Sequence, residues 1–317
     1  MTHTEFKDVL PLMGRAAAGL RFDDLPPQVV MRAKQRVMDT IGCLVAGYNA
    51  GIASEIRDYV LSQGGAQEAT LLPGGQKTTV SHVCMAHATY MHGLELTDAA
   101  PRGTCHPGNE VVPPALAYAE KLNRSGAEVL AAVVAGYEME IRFGRSVFPS
   151  AFYRGWWTPG LWGGIGSAAA AASLMKLDAT QMDNTLGIAV NLLPTCMIQA
   201  NEEGNTIKWL LGGQACAAGL VAAEMAARGV KGMRNVIGGF LPVIADKTNL
   251  TWLTPHNRSI AGWLRAWEDE RVYCLFNYSD LPQGITWHAF KEHGLIPTSL
   301  YDHWTEGTFL VERDEEH

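Results

Sequence analysis

The apolar positions in the first three quarters of the chain recur every three or four residues, which is the spacing of one face of an α-helix. Charged residues fall between them, so the pattern predicts amphipathic helices. These cover residues 27–47, residues from about 79 towards 98, residues that follow Pro113 and Pro114, and residues 126–147. The alternation that is typical of strands is nearly absent before residue 240.

Two further stretches, residues 163–175 and 212–227, are rich in Gly and Ala. Ala is the best helix former, and small side chains let neighbouring backbones approach closely. We predict that both stretches are packed helices at the centre of an all-helical domain that spans residues 1–240.

The pattern changes after Gly239, where tryptophans, prolines and mixed polar residues replace the helical spacing. This change of pattern predicts a smaller α+β segment over residues 241–317. The predicted fold is therefore mainly α, with a large helical domain followed by a short mixed region.

Composition narrows the class of protein. With 47% hydrophobic and 18% charged residues, and no apolar run of about 20 residues, neither a disordered nor a membrane protein is expected. The net charge of -7 gives no electrostatic reason to expect a nucleic-acid partner. Six widely spaced cysteines and a charged N-terminus are typical of a cytoplasmic protein with reduced thiols.

One short segment concentrates the polar chemistry of the chain. It contains two acids, an arginine, a cysteine and a histidine: Glu95, Asp98, Arg102, Cys105 and His106. A helix cannot continue regularly past Pro101, so these side chains are predicted to lie on a loop at a helix end, where they can face a cleft. We expect proton-transfer chemistry there. An ordinary polar connector is the alternative, since loops are generally polar.

Two basic residues are the main candidates for catalysis. His106 lies on a predicted turn, and a positioned imidazole can pass a proton in either direction near neutral pH. Lys208 lies at the start of the second small-residue helix, where a cation opposes the helix dipole and requires an anionic partner. It could pair with a substrate carboxylate or stabilise an enolate. A histidine that only bonds the loop and a solvated lysine are the alternatives.

Other motifs give weaker indications. Glu95 and Asp98 would share a face if the preceding helix continued that far, although a hydrated helix end fits equally well. A nucleophilic role for Cys105 is disfavoured, because adjacent residues in an extended turn point apart. The histidines show no His-x-x-x-His spacing, so no metal site is expected. The run Gly163-Gly-Ile-Gly166 indicates helix packing rather than a phosphate loop.

Six segments carry a further signal when they are taken in order. They are residues 30–47, His92-Gly-Leu-Glu-Leu-Thr-Asp98, His106-Pro-Gly-Asn-Glu-Val-Val-Pro-Pro114, Gly136-Tyr-Glu-Met-Glu-Ile-Arg142, residues 163–171 and residues 208–229. Together they resemble the successive motifs of the MmgE/PrpD family. The resemblance implies a helical main domain, a smaller α+β lid, a homodimer, and lyase or isomerase chemistry on small carboxylates that uses neither metal nor cofactor.

The resemblance also implies roles for particular residues. His106 matches the family's motif histidine, and Lys208 matches its lysine before the small-residue helix. The acidic motif is kept only in part, because Asp98 matches its last acid while Glu95 replaces the first. Trp157 takes the place of a second family histidine, which exchanges a proton carrier for an apolar wall.

The C-terminal segment departs further from the family's pattern. The resemblance implies a lid here, and the expected lid is shorter and more divergent than that of the family. Its usual lysine and histidine have no clear match, although His288 or Lys291 could take their place.

We therefore predict a lyase or isomerase of the dehydratase or decarboxylase type that acts on a small carboxylate through an enolate-like intermediate. His106 is the expected acid/base, Lys208 the partner of the carboxylate or enolate, and Asp98 a second proton carrier or the group that orients His106. The residues expected to bind substrate are Glu95, Arg102, Trp157 and Trp162. An isomerase or cyclase for a more hydrophobic metabolite is one alternative, and a dimeric relative that binds a ligand without turnover is another.

Overall fold

A computed structural model of the chain describes residues 10–234, except 53, 102, 149, 195 and 196, together with five strands after residue 249. The fold is mainly α, as predicted. The α-helices of the described residues are α1 (Leu10–Gly19), α2 (Pro27–Asn49), α3 (Ser54–Ser62), α4 (Val80–His92), α5 (Pro107–Leu122), α6 (Gly126–Val147), α7 (Ser150–Tyr153), α8 (Thr158–Leu174), α9 (Ala179–Asn191), α10 (Gln199–Glu202) and α11 (Ile207–Ala227).

Local signals in the sequence set several helix boundaries. Pro27 occupies the first turn of α2, where its missing N–H is not needed. The Thr79 hydroxyl accepts a hydrogen bond from the backbone N–H of His82 and so caps α4. Ser125 and Glu128 cap each other's backbone N–H groups at the start of α6. The helices predicted over residues 27–47 and 126–147 are confirmed.

Helices α8 and α11 form the centre of the helical region, and their mutual contact is the most extensive between any two described elements. All but one of the α8 residues are buried. Small residues permit this approach, since a Cβ on Gly219 would overlap the carbonyl oxygen of Gly164. The prediction of two packed small-residue helices is confirmed.

Helix α11 also has the length and apolar composition of a membrane span, alone among the helices that the structure describes. Half of its most apolar stretch is buried inside the protein, and it packs against α4, α8 and α9. A central helix of a packed bundle has the same composition.

The start of α5 differs from the prediction. The helix begins at Pro107, and Pro113 and Pro114 lie inside it. Prolines in a helix leave the carbonyls four residues earlier without N–H donors. Here the thiol of Cys216 on α11 donates to the carbonyl of Glu110 at 3.3 Å and points towards that of Asn109 at 3.9 Å. A contact with a distant helix therefore supports what the local sequence disfavours.

Two further expectations were wrong. Helix α4 does not run towards Asp98 but ends at His92. A β-hairpin, unexpected from the residue pattern, precedes it: β1 (Ala69–Leu71) pairs antiparallel with β2 (Gln76–Thr78). Each of these strands has only three residues, which is too short for alternation to be recognised.

The chain divides into two compact units, Met1–Asp246 and Lys247–His317. The described part of the second unit consists of strands. An antiparallel sheet has the order β3 (Leu250–Trp252), β4 (Ile260–Trp267), β5 (Glu270–Asn277), and a separate antiparallel pair joins β6 (Ser299–Asp302) to β7 (Gly307–Leu310).

Candidate active site

The loop between α4 and α5, residues 93–106, carries the candidate site. Two of its non-glycine residues adopt the left-handed backbone region, Glu95 with φ 55° and Thr104 with φ 46°. Such conformations cost free energy and cluster at functional sites. A β-bridge between Ala100 and Cys105, with an N–H to carbonyl distance of 3.0 Å, closes the loop on itself. The described residues of the loop therefore have a defined shape, although none of them lies in a helix or a strand.

His106 is the residue that immediately precedes α5. Its Nδ1 lies 2.9 Å from the backbone carbonyl oxygen of Asp98. A carbonyl can only accept a hydrogen bond, so Nδ1 carries the proton and donates it. The neutral ring then keeps Nε2 as its unprotonated nitrogen. This hydrogen bond gives His106 a fixed orientation and leaves Nε2 as its basic nitrogen.

Asp98 is almost completely buried, and its carboxylate has three partners. The backbone N–H of Gly108 in the first turn of α5 donates to Oδ1 at 2.9 Å, and the Tyr137 hydroxyl donates to Oδ2 at 3.0 Å. The Arg36 guanidinium is 3.6 Å from Oδ2. Of the two roles predicted for Asp98, this geometry favours the orientation of His106, which it exerts through its backbone carbonyl.

Lys208 lies in the first turn of α11, and its Nζ is 2.6 Å from Oε2 of Glu95. Its side chain is only 14% exposed, whereas that of Glu95 is 46% exposed. The anionic partner that a lysine at this helix end requires is therefore Glu95. Glu95 and Asp98 do not share a helix face as one prediction had it, because α4 has already ended.

His92, the last residue of α4, connects the two halves of the site. Its ring is 5.6 Å from the His106 ring, and its Nε2 is 3.7 Å from Oε1 of Glu95. The side chain is fully buried, and neither ring nitrogen has a hydrogen-bond partner among the described residues. Burial lowers the pKa of His92 to about 3, and the neighbouring His106 and Lys208 lower it further.

His92 is thus a neutral imidazole at neutral pH, and it forms no ion pair with Glu95. His92 was not among the residues predicted for the site, although it begins one of the segments that resemble the family. The available signal was its position three residues before Glu95 in the segment His92-Gly-Leu-Glu95.

Trp157 immediately precedes α8, and its ring packs edge-on against that of His92 with centroids 5.3 Å apart. The neighbouring Thr158 hydroxyl donates to the carbonyl of Thr104 in the α4–α5 loop at 2.8 Å. This hydrogen bond connects the start of α8 to the loop. The buried Trp157 ring forms an apolar boundary beside His92.

Trp162 lies one turn further along α8 and is fully buried. A Cβ on Gly144 of α6 would come within 2.9 Å of its ring, so Trp162 fills a packing position between the two helices. Its predicted contact with a substrate stays a prediction. Arg102, His288 and Lys291 lie outside the described residues.

Two fully buried glutamates, Glu110 on α5 and Glu140 on α6, lie beneath the loop. Gly163 and Gly166 of α8 make room for them, since a Cβ at either position would overlap the Glu110 and Glu140 side chains respectively. Burial raises the pKa of both carboxyls well above the usual range, and the charge of Glu110 raises that of Glu140 further. These surroundings favour the protonated, uncharged form of both acids.

The thiol of Cys105 faces these acids. Burial raises its pKa, as do the negative charges of Glu140, Glu110 and Asp98. A nucleophilic cysteine needs the opposite environment, one that stabilises a thiolate. The structure agrees with the interpretation that Cys105 is not a nucleophile. Cys43, Cys84, Cys105 and Cys216 are all buried and free, as predicted for reduced thiols.

Comparison with known proteins gives the family. The model of the MmgE/PrpD N-terminal domain matches residues 13–252. A cis-aconitate decarboxylase of Aspergillus terreus is 27% identical over 235 residues, 71% of this chain and 48% of the relative. The human cis-aconitate decarboxylase is 26% identical over 243 residues, 73% of this chain and 48% of the relative. The chain spans about half the length of these curated relatives. It belongs to the MmgE/PrpD family.

Proposed function

We propose that this protein is a lyase of the dehydratase or decarboxylase type, and that it acts on a small carboxylate through an enolate-like intermediate. Its relatives named cis-aconitate decarboxylase support this class of chemistry. The observation that carries the proposal is the set of contacts that links His106 to Lys208: the His92 ring lies 5.6 Å from the His106 ring, and Glu95 lies beside both His92 and Lys208.

The proposed roles follow from what each group can do with a proton or a charge. In a decarboxylation, the bond to one carboxylate breaks, CO2 leaves, and the electron pair remains on carbon as an enolate-like anion. His106, after its Nε2 has taken up a proton from water, then delivers that proton to the carbon. In a dehydration, the neutral ring instead removes a proton next to a carboxylate, and the hydroxyl on the adjacent carbon then leaves with that proton as water. Lys208 would hold the carboxylate on which negative charge accumulates.

Trp157 supports a second candidate within the same class. The Trp157 ring packs edge-on against His92, is mainly apolar and, unlike a histidine, cannot carry a proton between groups. An acid with an apolar substituent would fit this wall better than a compact polycarboxylate. This candidate includes the predicted isomerase or cyclase for a more hydrophobic metabolite, and it differs from the first in substrate.

The test is a product assay of the full chain with cis-aconitate and with acids that carry one carboxylate and an apolar group. We expect CO2 release or loss of water from at least one acid, and a loss of turnover in Lys208→Met that its control Lys231→Met, an exposed lysine, does not share. Binding of these acids without product in any reaction would favour a non-catalytic relative and overturn the proposal.

A further inference from the structure

Glu95 is the one carboxylate that the described residues place against the Lys208 ammonium, at 2.6 Å. A mostly buried lysine in the first turn of a helix is unfavourable without an anion, because the helix dipole is positive there. In the free protein Glu95 provides that anion. Any ligand carboxylate that binds Lys208 must therefore compete with a carboxylate that belongs to the protein.

The exposure and the backbone conformation of Glu95 favour its displacement from Lys208 by a ligand. Its side chain is 46% exposed, so water can solvate the carboxylate once it leaves Lys208. Its backbone has φ 55°, a conformation that glutamate rarely adopts. The Lys208 contact compensates for a strained conformation without burying the side chain.

His92 lies beside this pair, and its ring can still form hydrogen bonds. Its Nε2 is 3.7 Å from Oε1 of Glu95, beyond hydrogen-bond length, and both ring nitrogens are buried without a partner among the described residues. A neutral imidazole has one N–H to donate. An incoming carboxylate at Lys208 could accept it, whereas Glu95 in its present position does not.

We infer that Glu95 is a resident competitor for Lys208, and that it determines how strongly the site binds acids whose carboxylate pairs with this lysine. The inference rests on the proposed function only in taking Lys208 as the carboxylate partner. Uncharged analogues of the same compounds would not compete with Glu95. Glu95 then determines specificity between charged and uncharged ligands, because it lowers the affinity for any carboxylate that pairs with Lys208.

The experiment measures binding by calorimetry, with cis-aconitate, acetate and the trimethyl ester of cis-aconitate as probes. Glu95→Gln removes the competing charge and keeps the size of the side chain. We expect it to tighten binding of at least one of the two acids by about two- to fivefold, which is the range for a partly exposed ion pair. Binding of the ester should not change. Glu202→Gln, which removes an exposed acid elsewhere, is the matched control.

A double-mutant cycle separates competition from a general change in charge. The tightening should disappear when Glu95→Gln is combined with Lys208→Met. Glu95→Asn serves as a second variant, because Asn adopts the left-handed conformation more readily and should fold at least as well. Unchanged or weaker acid binding in both Glu95 variants, or no detectable acid binding by either, would overturn the inference.

The outcome is distinguishable from failure of the proposed lyase. Tighter acid binding in Glu95→Gln without product formation keeps the inference and removes the catalytic assignment. Product formation in the native protein, together with acid affinity that does not depend on Glu95, keeps the catalytic assignment and removes the inference.

Discussion

Asp98 and Glu95 lie on the same loop, three residues apart, yet their surroundings are opposite. Asp98 is buried, and a backbone N–H, a hydroxyl and a guanidinium surround its carboxylate. Glu95 is half-exposed, has a strained backbone, and is held by one ammonium. The first acid fixes the loop on which His106 is oriented, and the second occupies a position that a ligand could take.

This difference shows how one loop can be rigid and adaptable at once. A catalytic group gains from pre-organisation, which needs partners that do not exchange with water. A ligand-binding cation needs a partner that does exchange. Burial of one acid and exposure of the other separate these requirements within four residues, and the predictions that follow test the separation.

The largest expected effect belongs to His106. General acid/base catalysis typically contributes a factor of about 100 to 10,000, so His106→Gln should lower turnover by that amount on any acid that the native protein converts. His82→Gln, on the outer part of α4, is the control and should leave turnover within about twofold. Steady-state kinetics with each variant provide the measurement. A loss of less than about threefold for His106→Gln would remove it from the chemistry.

The next prediction compares how much Asp98 and Glu95 each contribute to the free energy of unfolding. Asp98→Ala leaves a buried N–H, a hydroxyl and a nearby guanidinium without their acceptor, and should lower the free energy of unfolding by about 2–4 kcal/mol. Glu95→Ala removes a half-exposed ion pair and should cost less than about 1 kcal/mol. Urea denaturation of both variants gives the two values. Equal losses would contradict the division into a fixed and an exchangeable acid.

A third effect concerns the buried acids below the loop. The raised pKa of Glu140 means that the folded protein keeps a proton that the unfolded chain loses above about pH 4.5, its ordinary pKa. Stability should therefore fall as pH rises from that value. Glu140→Gln should reduce the fall, by up to about 1.4 kcal/mol per pH unit, and be more stable than the native protein at neutral pH.

Unfolding curves of Glu140→Gln between pH 4 and 8 check this slope, with Glu202→Gln as the exposed control. The two proteins should converge towards the acid end of the range, where the unfolded carboxyl is protonated as well. A native slope that Glu140→Gln leaves unaltered would show that Glu140 ionises in the folded protein as it does in water.

The smallest effect tests a single bond to the fixed acid. Tyr137→Phe removes the hydroxyl that donates to Asp98 but leaves the Gly108 N–H and Arg36 in place. The loss of stability should be about 1 kcal/mol. Urea denaturation measures it, and Tyr59→Phe, an exposed tyrosine on α3, is the control. A loss as large as that of Asp98→Ala would mean that Asp98 depends on this one donor.

The sequence predicted the helices that local apolar spacing determines. Helices α2 and α6 follow from apolar periodicity, and the Ser125–Glu128 capping box marks the start of α6. The course of α5 was not predictable in this way, because its internal prolines are tolerated through the thiol of Cys216, more than 100 residues away in the chain.

The site residues also differ in whether local sequence could predict them. A loop rich in polar residues at a helix end pointed to His106 and Asp98, since they are close in sequence. The contacts of Lys208 with Glu95 and of Trp157 with His92 join segments that are distant in the chain. No local pattern encodes such pairs, so His92, which makes contacts in both halves, could not be assigned from spacing alone.

The most direct test of the account is nitrogen NMR of the protein with labelled histidines, with the His106 signals assigned through His106→Gln. The free protein should show His106 with its proton on Nδ1, and an added acid that binds should move the Nε2 signal in the native protein but not in Lys208→Met at the same concentration. A proton on Nε2 in the free protein, or an equal shift in Lys208→Met, would contradict the claim that His106 and Lys208 act on one ligand.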